Sequence, residues 1–173
     1  IIEASSHGLS QNRLDGISFN TGIFTNLSQD HLDYHKNINN YLKAKLYLFE
    51  KLIKKNGNII TDEKIPEFKK IKNITSNKDL NLFSLFDKKN SFQFLSHQYE
   101  DESQLLEIRY NNSIHKIKLN LIGKVQLKNV LMAVIASIKS NVKIKDILDA
   151  IPKIKTVEGR FDRVGKIKNN SKV

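Results

Sequence analysis

Apolar residues recur with a helical period along residues 37–55. They stand three or four positions apart, at Ile38, Leu42, Leu46, Phe49 and Ile53. This spacing places them on one face of a helix. Asn56-Gly57 follows, and residues of these types often close a helix. The pattern predicts a long helix over 37–55, capped at its C-terminal end by Asn56-Gly57.

Short apolar segments around this helix predict strands at 1–4, 22–27 and 58–61, with a polar turn at 5–8. In the last third of the chain, apolar residues return at helical spacing over 126–140. A shorter helix is predicted over 144–151, where Pro152 stops it. Residues 161–168 are one more strand candidate.

The middle of the chain has a period of two instead. Segments 80–86 and 91–98 are short strand candidates, and apolar residues alternate with polar ones over 106–110 and again over 117–121. Asn111-Asn112 lies between the last two and favours a turn, so a β-hairpin that packs on one side is predicted. Alternating strands and helices with an antiparallel patch predict an α/β fold with a mixed sheet.

Composition narrows the classes of partner. The 173 residues suit one domain, and the absence of cysteine excludes a disulfide framework or a thiolate metal site. The net charge of +11 raises nucleic acid as a partner. The basic residues are mostly scattered lysines without interleaved aromatics, so we expect a solvated lysine-rich surface and no nucleic-acid partner. No apolar run approaches the roughly 20 residues that span a bilayer, and no signal peptide is recognisable; we expect a cytoplasmic protein without membrane insertion.

Lys45 lies on the apolar side of the predicted long helix, whereas Lys43 and Lys51 lie off it. Burial disfavours the charged form of a lysine, and a neutral amine can act as a nucleophile or capture carbon dioxide as a carbamate. The alternative is a lysine that extends its ammonium group along the helix to solvent. The residues alone leave both open.

Two short motifs carry further candidate chemistry. The segment DHLDYH at 30–35 holds two histidines and two aspartates, which could bind a metal or could form the start of a helix with Asp30 at its first turn. The segment EASSH at 3–7 invites comparison with a serine hydrolase, but the chain has no GxSxG motif. It also has no GxxxxGK[ST] phosphate loop.

Taken together, these motifs resemble the Mur ligases, ATP-dependent enzymes that join amino acids to the peptidoglycan precursor. EASSHGLSQNR at 3–13 resembles the family's EVSSHxLxxxR, TNLSQDHLDYH at 25–35 its TNLxxDHLDYH, and YLKAK at 41–45 its YxxAK. GKVQLKN at 123–129 resembles GxFNxxN, and EGRF at 158–161 resembles xGRxE. Order and spacing agree from residue 1 to about 165, and the first 45 residues are the most specific part.

The resemblance implies a fold and a reaction. The fold would be the family's central ATP-binding domain, a P-loop-type mixed sheet with helices and a small antiparallel patch. ATP would phosphorylate a carboxylate of the precursor, and an incoming amine would displace the phosphate. The first 45 residues most resemble the family member that adds the third amino acid, commonly meso-diaminopimelate, to UDP-MurNAc-L-Ala-D-Glu.

The resemblance also assigns roles to individual residues. Glu3, His31 and a carbamylated Lys45 would be catalytic and would hold Mg²⁺. Ser5, Gln11 and Arg13 would contact the sugar-nucleotide substrate. Asn129 and Arg160 would bind ATP.

Some positions depart from the family pattern. Gln126 and Val125 stand where the family usually has an asparagine and an aromatic residue, and Asp162 stands where glutamate is common. These departures concern the details of adenine binding.

We expect residues 1–165 to be a central domain truncated at its N-terminus, without the phosphate-loop segment, and 166–173 to be a linker. The missing N- and C-terminal domains of the same protein would be partners of this chain, which we expect to be inactive alone. A folylpolyglutamate or cyanophycin synthetase-like ligase and a non-catalytic remnant are the alternatives.

Overall fold

The computed structural model describes residues 1–100 and 103–157. These residues form six α-helices and six strands. In chain order they are α1 (Ser6–Ser10), β1 (Phe19–Phe24), α2 (Leu32–His35), α3 (Ile38–Tyr47), β2 (Ile53–Thr61), α4 (Phe68–Asn77), β3 (Asn81–Ser84), β4 (Phe92–Glu100), β5 (Ser103–Tyr110), β6 (Ser113–Leu119), α5 (Lys124–Lys139) and α6 (Ile144–Ala150). A π-helical turn (Leu48–Leu52) joins α3 to β2, and a 3₁₀ turn (Ile151–Lys153) follows α6.

Strands β1, β2 and β3 form a parallel sheet in that order. Successive residues of a strand point to opposite faces, and both faces of β2 are buried in its C-terminal half. Ile59 packs with residues of α3 and α4, including Leu46 and Ile71. Ile60 packs on the opposite side, in a cluster that contains Leu131 of α5. The sheet therefore has helices on both faces, as the α/β prediction requires.

Strands β4, β5 and β6 form a separate antiparallel sheet. The predicted hairpin is confirmed: Tyr110 pairs with Ser113 across a turn in which Asn111 has a left-handed φ of 51°. Leu106 and Leu119 of this sheet are buried in the same cluster as α5. The antiparallel patch thus packs on α5 rather than extending the parallel sheet.

The predicted end of the long helix is wrong. The regular α-helix ends at Tyr47, and Asn56-Gly57 lies inside β2 rather than in a helix cap. The pairing of β1 with β2 shifts here, from Phe19↔Ile53 to Thr21↔Asn58. A Cβ on Gly57 would lie 2.6 Å from Ile53 Cγ2 and 2.8 Å from the Lys54 carbonyl oxygen. Gly57 is therefore required because neighbouring atoms of this irregular strand pair leave no room for a side chain. In the sequence alone, a glycine used in this way cannot be told from one that caps a helix.

The strand predicted at 1–4 is also wrong. These residues carry no strand pairing, and Ile1 and Ile2 are exposed. An apolar segment becomes a strand only where a neighbour satisfies its backbone groups, and the described residues provide none here. The turn predicted at 5–8 is the beginning of α1 instead.

The helices predicted at 126–140 and 144–151 are confirmed as α5 and α6. The strand predicted at 161–168 lies outside the described residues. Within the described ranges, every helix is too short or too polar to cross a bilayer.

Candidate functional site

Helix α1 presents the Ser-Ser-His motif. The Ser5 backbone is extended (φ −66°, ψ 146°), and its Oγ accepts a hydrogen bond from the Gly8 backbone N–H at 3.1 Å. This is the usual geometry of an N-cap serine. A Cβ on Gly8 would lie only 3.1 Å from Ser5 Oγ. The glycine therefore lets the cap close tightly, which fixes the direction of the side chains that follow.

Five ring side chains from α1, α2 and α3 meet in what we call the histidine–tyrosine cluster: His7, His31, Tyr34, His35 and Tyr41. The His7 ring lies 4.1 Å from Tyr34 and 5.0 Å from His31, centroid to centroid. His35 stacks on Tyr41 at 5.1 Å, with 19° between the rings. His31 meets Tyr41 edge-on at 5.8 Å. The cluster joins the first two sequence motifs into one surface.

His35 is buried in the cluster, as is Tyr41, on which it stacks. Its Nε2 lies 3.0 Å from Ser6 Oγ, and both side chains are buried. Burial lowers the pKa of His35, and the nearby His7 and His31 lower it further while Asp33 opposes them. A buried serine–histidine pair cannot be reached by a substrate, so this contact is structural. The hydrolase interpretation of the Ser-Ser-His segment receives no support from it.

His31 is exposed, as is Tyr34. Its backbone takes a left-handed φ of 55°, and its N–H donates to Asp30 Oδ1 at 2.9 Å. The ring Nε2 lies 3.7 Å from Asp30 Oδ2, and the side chain is 46% exposed. Asp30 therefore stabilises the strained turn and lies beside the ring, while the imidazole stays accessible to a ligand.

Lys45 points back toward this surface from α3. Its Nζ donates to the Asn26 carbonyl oxygen at 2.8 Å and lies 5.3 Å from the Phe24 ring and 5.2 Å from the Tyr41 ring. Burial lowers the pKa of Lys45, and the carboxylates of Glu67 and Asp30 partly oppose the shift. Lys45 thus extends between aromatic rings toward the loop after β1. Lys43, two residues earlier, is exposed.

The structure brings two of the three predicted metal ligands to one place. His31 and Lys45 both contact Tyr41. Glu3 is exposed in the segment before α1, and no described contact joins it to either residue. Residues 1–100 and 103–157 contain no group of three or more histidine, aspartate and glutamate side chains placed to hold a metal ion.

The predicted substrate residues lie on and after α1. Ser5 caps the helix, and Gln11 Nε2 donates to the Tyr34 hydroxyl at 3.0 Å. Ser10 Oγ donates to the same hydroxyl at 3.1 Å. These two hydrogen bonds lower the pKa of Tyr34. The side chain of Arg13 is exposed, whereas its backbone N–H donates to the Gly8 carbonyl at 2.9 Å.

The predicted nucleotide residues lie elsewhere. Asn129 is exposed in the second turn of α5, which begins after Gly123 with a φ of 99°. Arg160 lies outside the described residues, as does Asp162. Val125 is exposed in the first turn of α5, where the family's aromatic residue would stand.

Sequence reasoning missed Tyr34, Tyr41 and His35 as parts of the site. Tyr34 and His35 belong to the DHLDYH segment, but their importance lies in ring contacts that a linear motif does not display. Tyr41 stands four residues before Lys45, and side chains four apart on a helix are neighbours. Tyr41 also begins the YLKAK motif, so the motif and this spacing were the two signals that could have identified it.

Comparison with known proteins places the chain in a family. The model of the Mur ligase middle domain matches residues 1–137. The chain belongs to the Mur ligase family. A relative from Zymomonas mobilis subsp. mobilis, a UDP-N-acetylmuramoyl-L-alanyl-D-glutamate–2,6-diaminopimelate ligase, is 33% identical over 173 residues, covering 100% of this chain and 36% of the relative. The ligase of the same name from Rickettsia prowazekii is 35% identical over 162 residues, covering 94% and 34%.

Solved structures agree on the fold. A structure of a ligase of that same name superposes with a TM-score of 0.79 at 23% identity, covering 96% of this chain and 34% of that one. The MurF ligase from Thermotoga maritima in complex with ADP gives 0.71 at 16% identity, covering 94% and 36%. The α/β prediction and the Mur ligase resemblance are confirmed. This chain spans about a third of the length of the relatives it matches.

Proposed function

We propose that this chain is the central portion of an ATP-dependent ligase that adds the third amino acid, meso-diaminopimelate, to UDP-MurNAc-L-Ala-D-Glu. One observation carries the proposal. Lys45 extends from a helix between two aromatic rings and reaches the surface where the Ser-Ser-His and DHLDYH motifs meet. A lysine that only extends its ammonium group to solvent would not require contacts with two aromatic rings. The diaminopimelate ligases at 33% and 35% identity support the choice of amino acid.

The reaction would proceed through an acyl phosphate. The γ-phosphoryl group of ATP passes to the glutamyl carboxylate, and ADP leaves. The amine of the incoming amino acid then attacks the acyl carbon, and phosphate departs. The protein's contribution to such phosphoryl transfer is mainly positioning and charge neutralisation.

Lys45 would act as a carbamate. Only a neutral amine adds carbon dioxide, and the burial that lowers the pKa of Lys45 increases the neutral fraction. Carbamylation replaces a cation with an anion bearing two oxygens. The Asn26 carbonyl, which now accepts from Nζ, could accept from the carbamate N–H in the same place.

Lys45 can be a magnesium ligand only when it is modified. Mg²⁺ prefers oxygen ligands, and a lysine ammonium group is no ligand. Glu3 would hold the magnesium ion bound to ATP, whereas a carbamate on Lys45 and the accessible imidazole of His31 would hold a second magnesium ion. The two metals would neutralise charge on the transferring phosphoryl group.

Ser5, Gln11 and Arg13 would hold the sugar nucleotide. Ser5 Oγ accepts from Gly8, so its hydroxyl proton is available to donate to a substrate oxygen. Arg13 has an exposed guanidinium that suits an anionic oxygen. Asn129 would read the adenine edge, and Arg160 would reach the ribose or phosphate region of ATP.

The remaining assignments belong to the same proposal. Residues 1–165 would form the truncated central domain and 166–173 the linker, within a longer bacterial cytoplasmic protein whose other domains complete the active site. This chain alone would be inactive, because its sequence contains no phosphate loop.

The test is ADP formation by the full-length protein with single omissions of substrate. We expect release of ADP only when ATP, UDP-MurNAc-L-Ala-D-Glu and meso-diaminopimelate are all present. Replacing the dipeptide substrate with a folate would test the folylpolyglutamate alternative, and lysine in place of diaminopimelate would test amino-acid choice. Absence of ADP formation with every substrate set would support a non-catalytic remnant.

A further inference from the structure

An ion pair between a buried carboxylate and a partly exposed lysine connects the end of the parallel sheet to helix α5. Asp62 follows β2 directly and has no exposed surface. Its Oδ2 lies 2.6 Å from Lys128 Nζ, and its Oδ1 accepts from the Lys64 backbone N–H at 2.9 Å. The backbone contact fixes the carboxylate, so the carboxylate can hold Lys128 in a defined position.

This ion pair lies between the carboxyl end of β2 and the turn of α5 that carries Asn129. In α/β sheets, ligands bind beyond the carboxyl ends of the strands, and Asp62 stands at that end of β2. Lys128 immediately precedes Asn129 on α5. Adjacent helical residues point about 100° apart, so Lys128 reaches inward to the sheet while Asn129 is exposed.

A second buried polar residue holds the start of the same helix. Gln104 of β5 is fully buried, and its Nε2 donates to the Leu121 carbonyl at 2.8 Å and the Gly123 carbonyl at 3.4 Å. These carbonyls belong to the loop that leads into α5. The loop is therefore held by the antiparallel sheet, and the second turn of α5 is held by the parallel sheet.

Apolar packing alone would leave this helix less well defined. Leu127, Val130 and Leu131 bury the inner face of α5, but the hydrophobic effect is non-directional. A buried ionic contact can instead specify one arrangement, as polar residues do in helix pairing. Here it would set the rotation of the turn that carries Asn129.

We propose that Lys128, through its ion pair with Asp62, is a positioning residue that orients Asn129 of α5 toward the bound nucleotide. This inference rests on the proposed nucleotide role of Asn129 and adds a residue that the family motif does not include. Lys128 would act on nucleotide binding through the placement of Asn129. Its loss would weaken nucleotide binding and leave the sugar-nucleotide site on α1 unchanged.

The test uses the full-length protein with Lys128→Met, Lys128→Arg, the double variant Asp62→Asn/Lys128→Met, and Asn129→Ala. Lys145→Met, an exposed lysine of α6, is the matched control. The measurements are the Kd for ADP by calorimetry, the KM for ATP, the KM for the dipeptide substrate and the Tm. The double variant removes the buried charge together with its partner, so it keeps the fold testable if Lys128→Met does not fold.

We expect Lys128→Met and the double variant to raise the ADP Kd and the ATP KM by about tenfold. This is the effect of losing one hydrogen bond between Asn129 and the nucleotide. The KM for the dipeptide substrate should stay within about twofold. Lys128→Arg should keep a nucleotide affinity close to that of the wild type. The double variant should have a higher Tm than Lys128→Met, because it leaves no unpaired carboxylate. Its nucleotide affinity should stay as low as that of Lys128→Met, because the ion pair is still absent.

Two results would overturn the inference separately from the proposed function. If the double variant binds ADP as tightly as wild type while Asn129→Ala binds weakly, the ion pair serves stability only. If the KM values for ATP and the dipeptide rise together, loss of the ion pair disturbs the whole active site and does not act specifically on nucleotide binding. Wild-type protein that binds no nucleotide, or Asn129→Ala with unchanged affinity, would remove the proposed function of α5 and this inference with it.

Discussion

The two halves of the candidate site are held in different ways. The half around Lys45 is built from residues 3–45 and is joined by several overlapping ring contacts among His7, His31, Tyr34, His35 and Tyr41. The half around Asn129 depends on α5, whose start is held by Gln104 and whose second turn is held by one ion pair, between the buried Asp62 and the partly exposed Lys128. The first half is held by many overlapping contacts, whereas the turn that carries Asn129 is held to the parallel sheet by this one ion pair.

This difference has an energetic meaning. Each ring contact contributes modestly, and its neighbours remain when one is removed. A buried carboxylate that loses its partner has no substitute, because the charge is left in a poorly solvated place. We therefore expect single substitutions to be more damaging at the ion pair than in the histidine–tyrosine cluster.

The largest stability effect should follow Lys128→Ala. Removing one member of a buried pair costs about 3 kcal/mol at the lower end of the usual range, and the lower end applies because the Lys128 side chain is 39% exposed. Urea unfolding followed by circular dichroism would measure it. The control is Lys124→Ala at an exposed position on the same helix. A loss no larger than that of Lys124→Ala would contradict the contrast between the two halves.

A smaller loss is expected for His35→Gln, about 1–2 kcal/mol, from its contacts with Ser6 and Tyr41. Its pH dependence is distinctive. Since the folded-state pKa of His35 is lowered, the unfolded chain takes up this proton first as pH falls through about 6.5. The contribution of His35 to stability is complete above that pH and declines below it. Tm measured at pH 7.5 and 5.5 should fall less in His35→Gln than in wild type, and an unchanged difference would be evidence against this role.

The smallest effect should come from Tyr34→Phe. The ring contacts with His7 persist, and only the hydroxyl that receives Ser10 and Gln11 is lost. Stability should fall by about 1 kcal/mol or less. Because Gln11 loses its partner, the KM for UDP-MurNAc-L-Ala-D-Glu should rise a few-fold while the KM for ATP stays constant. Equal changes in both KM values would show that Tyr34 does not act through Gln11.

The same contrast explains what sequence could predict. The half around Lys45 lies within 45 consecutive residues, so its motifs and the apolar-face position of Lys45 are visible in the sequence. Helical spacing even relates Tyr41 to Lys45. The π-helical turn after α3 could not be predicted, since the apolar spacing continues to Ile53 although the regular helix ends at Tyr47.

The half around Asn129 was much less predictable. Asp62 and Lys128 are distant in sequence, and each looks like an ordinary surface charge in a lysine-rich chain. Only the packing of α5 on the sheet brings them together. Gln104 is equally inconspicuous, because its importance comes from two carbonyls of a loop that precedes α5. Contacts between distant elements leave no periodic signal in a single sequence.

The most direct test of the central claim compares Lys45→Ala with Lys43→Ala in the full-length protein, measuring ADP formation with and without added bicarbonate. Lys43 is the matched control, since it is an exposed lysine on the same helix. We expect Lys45→Ala to lose activity by at least about 100-fold, as loss of a charge-stabilising group does. Lys43→Ala should keep wild-type activity, and bicarbonate should raise the rate of carbon dioxide-depleted wild type. Near wild-type turnover by Lys45→Ala would show that Lys45 is a surface lysine and would contradict the proposed carbamate.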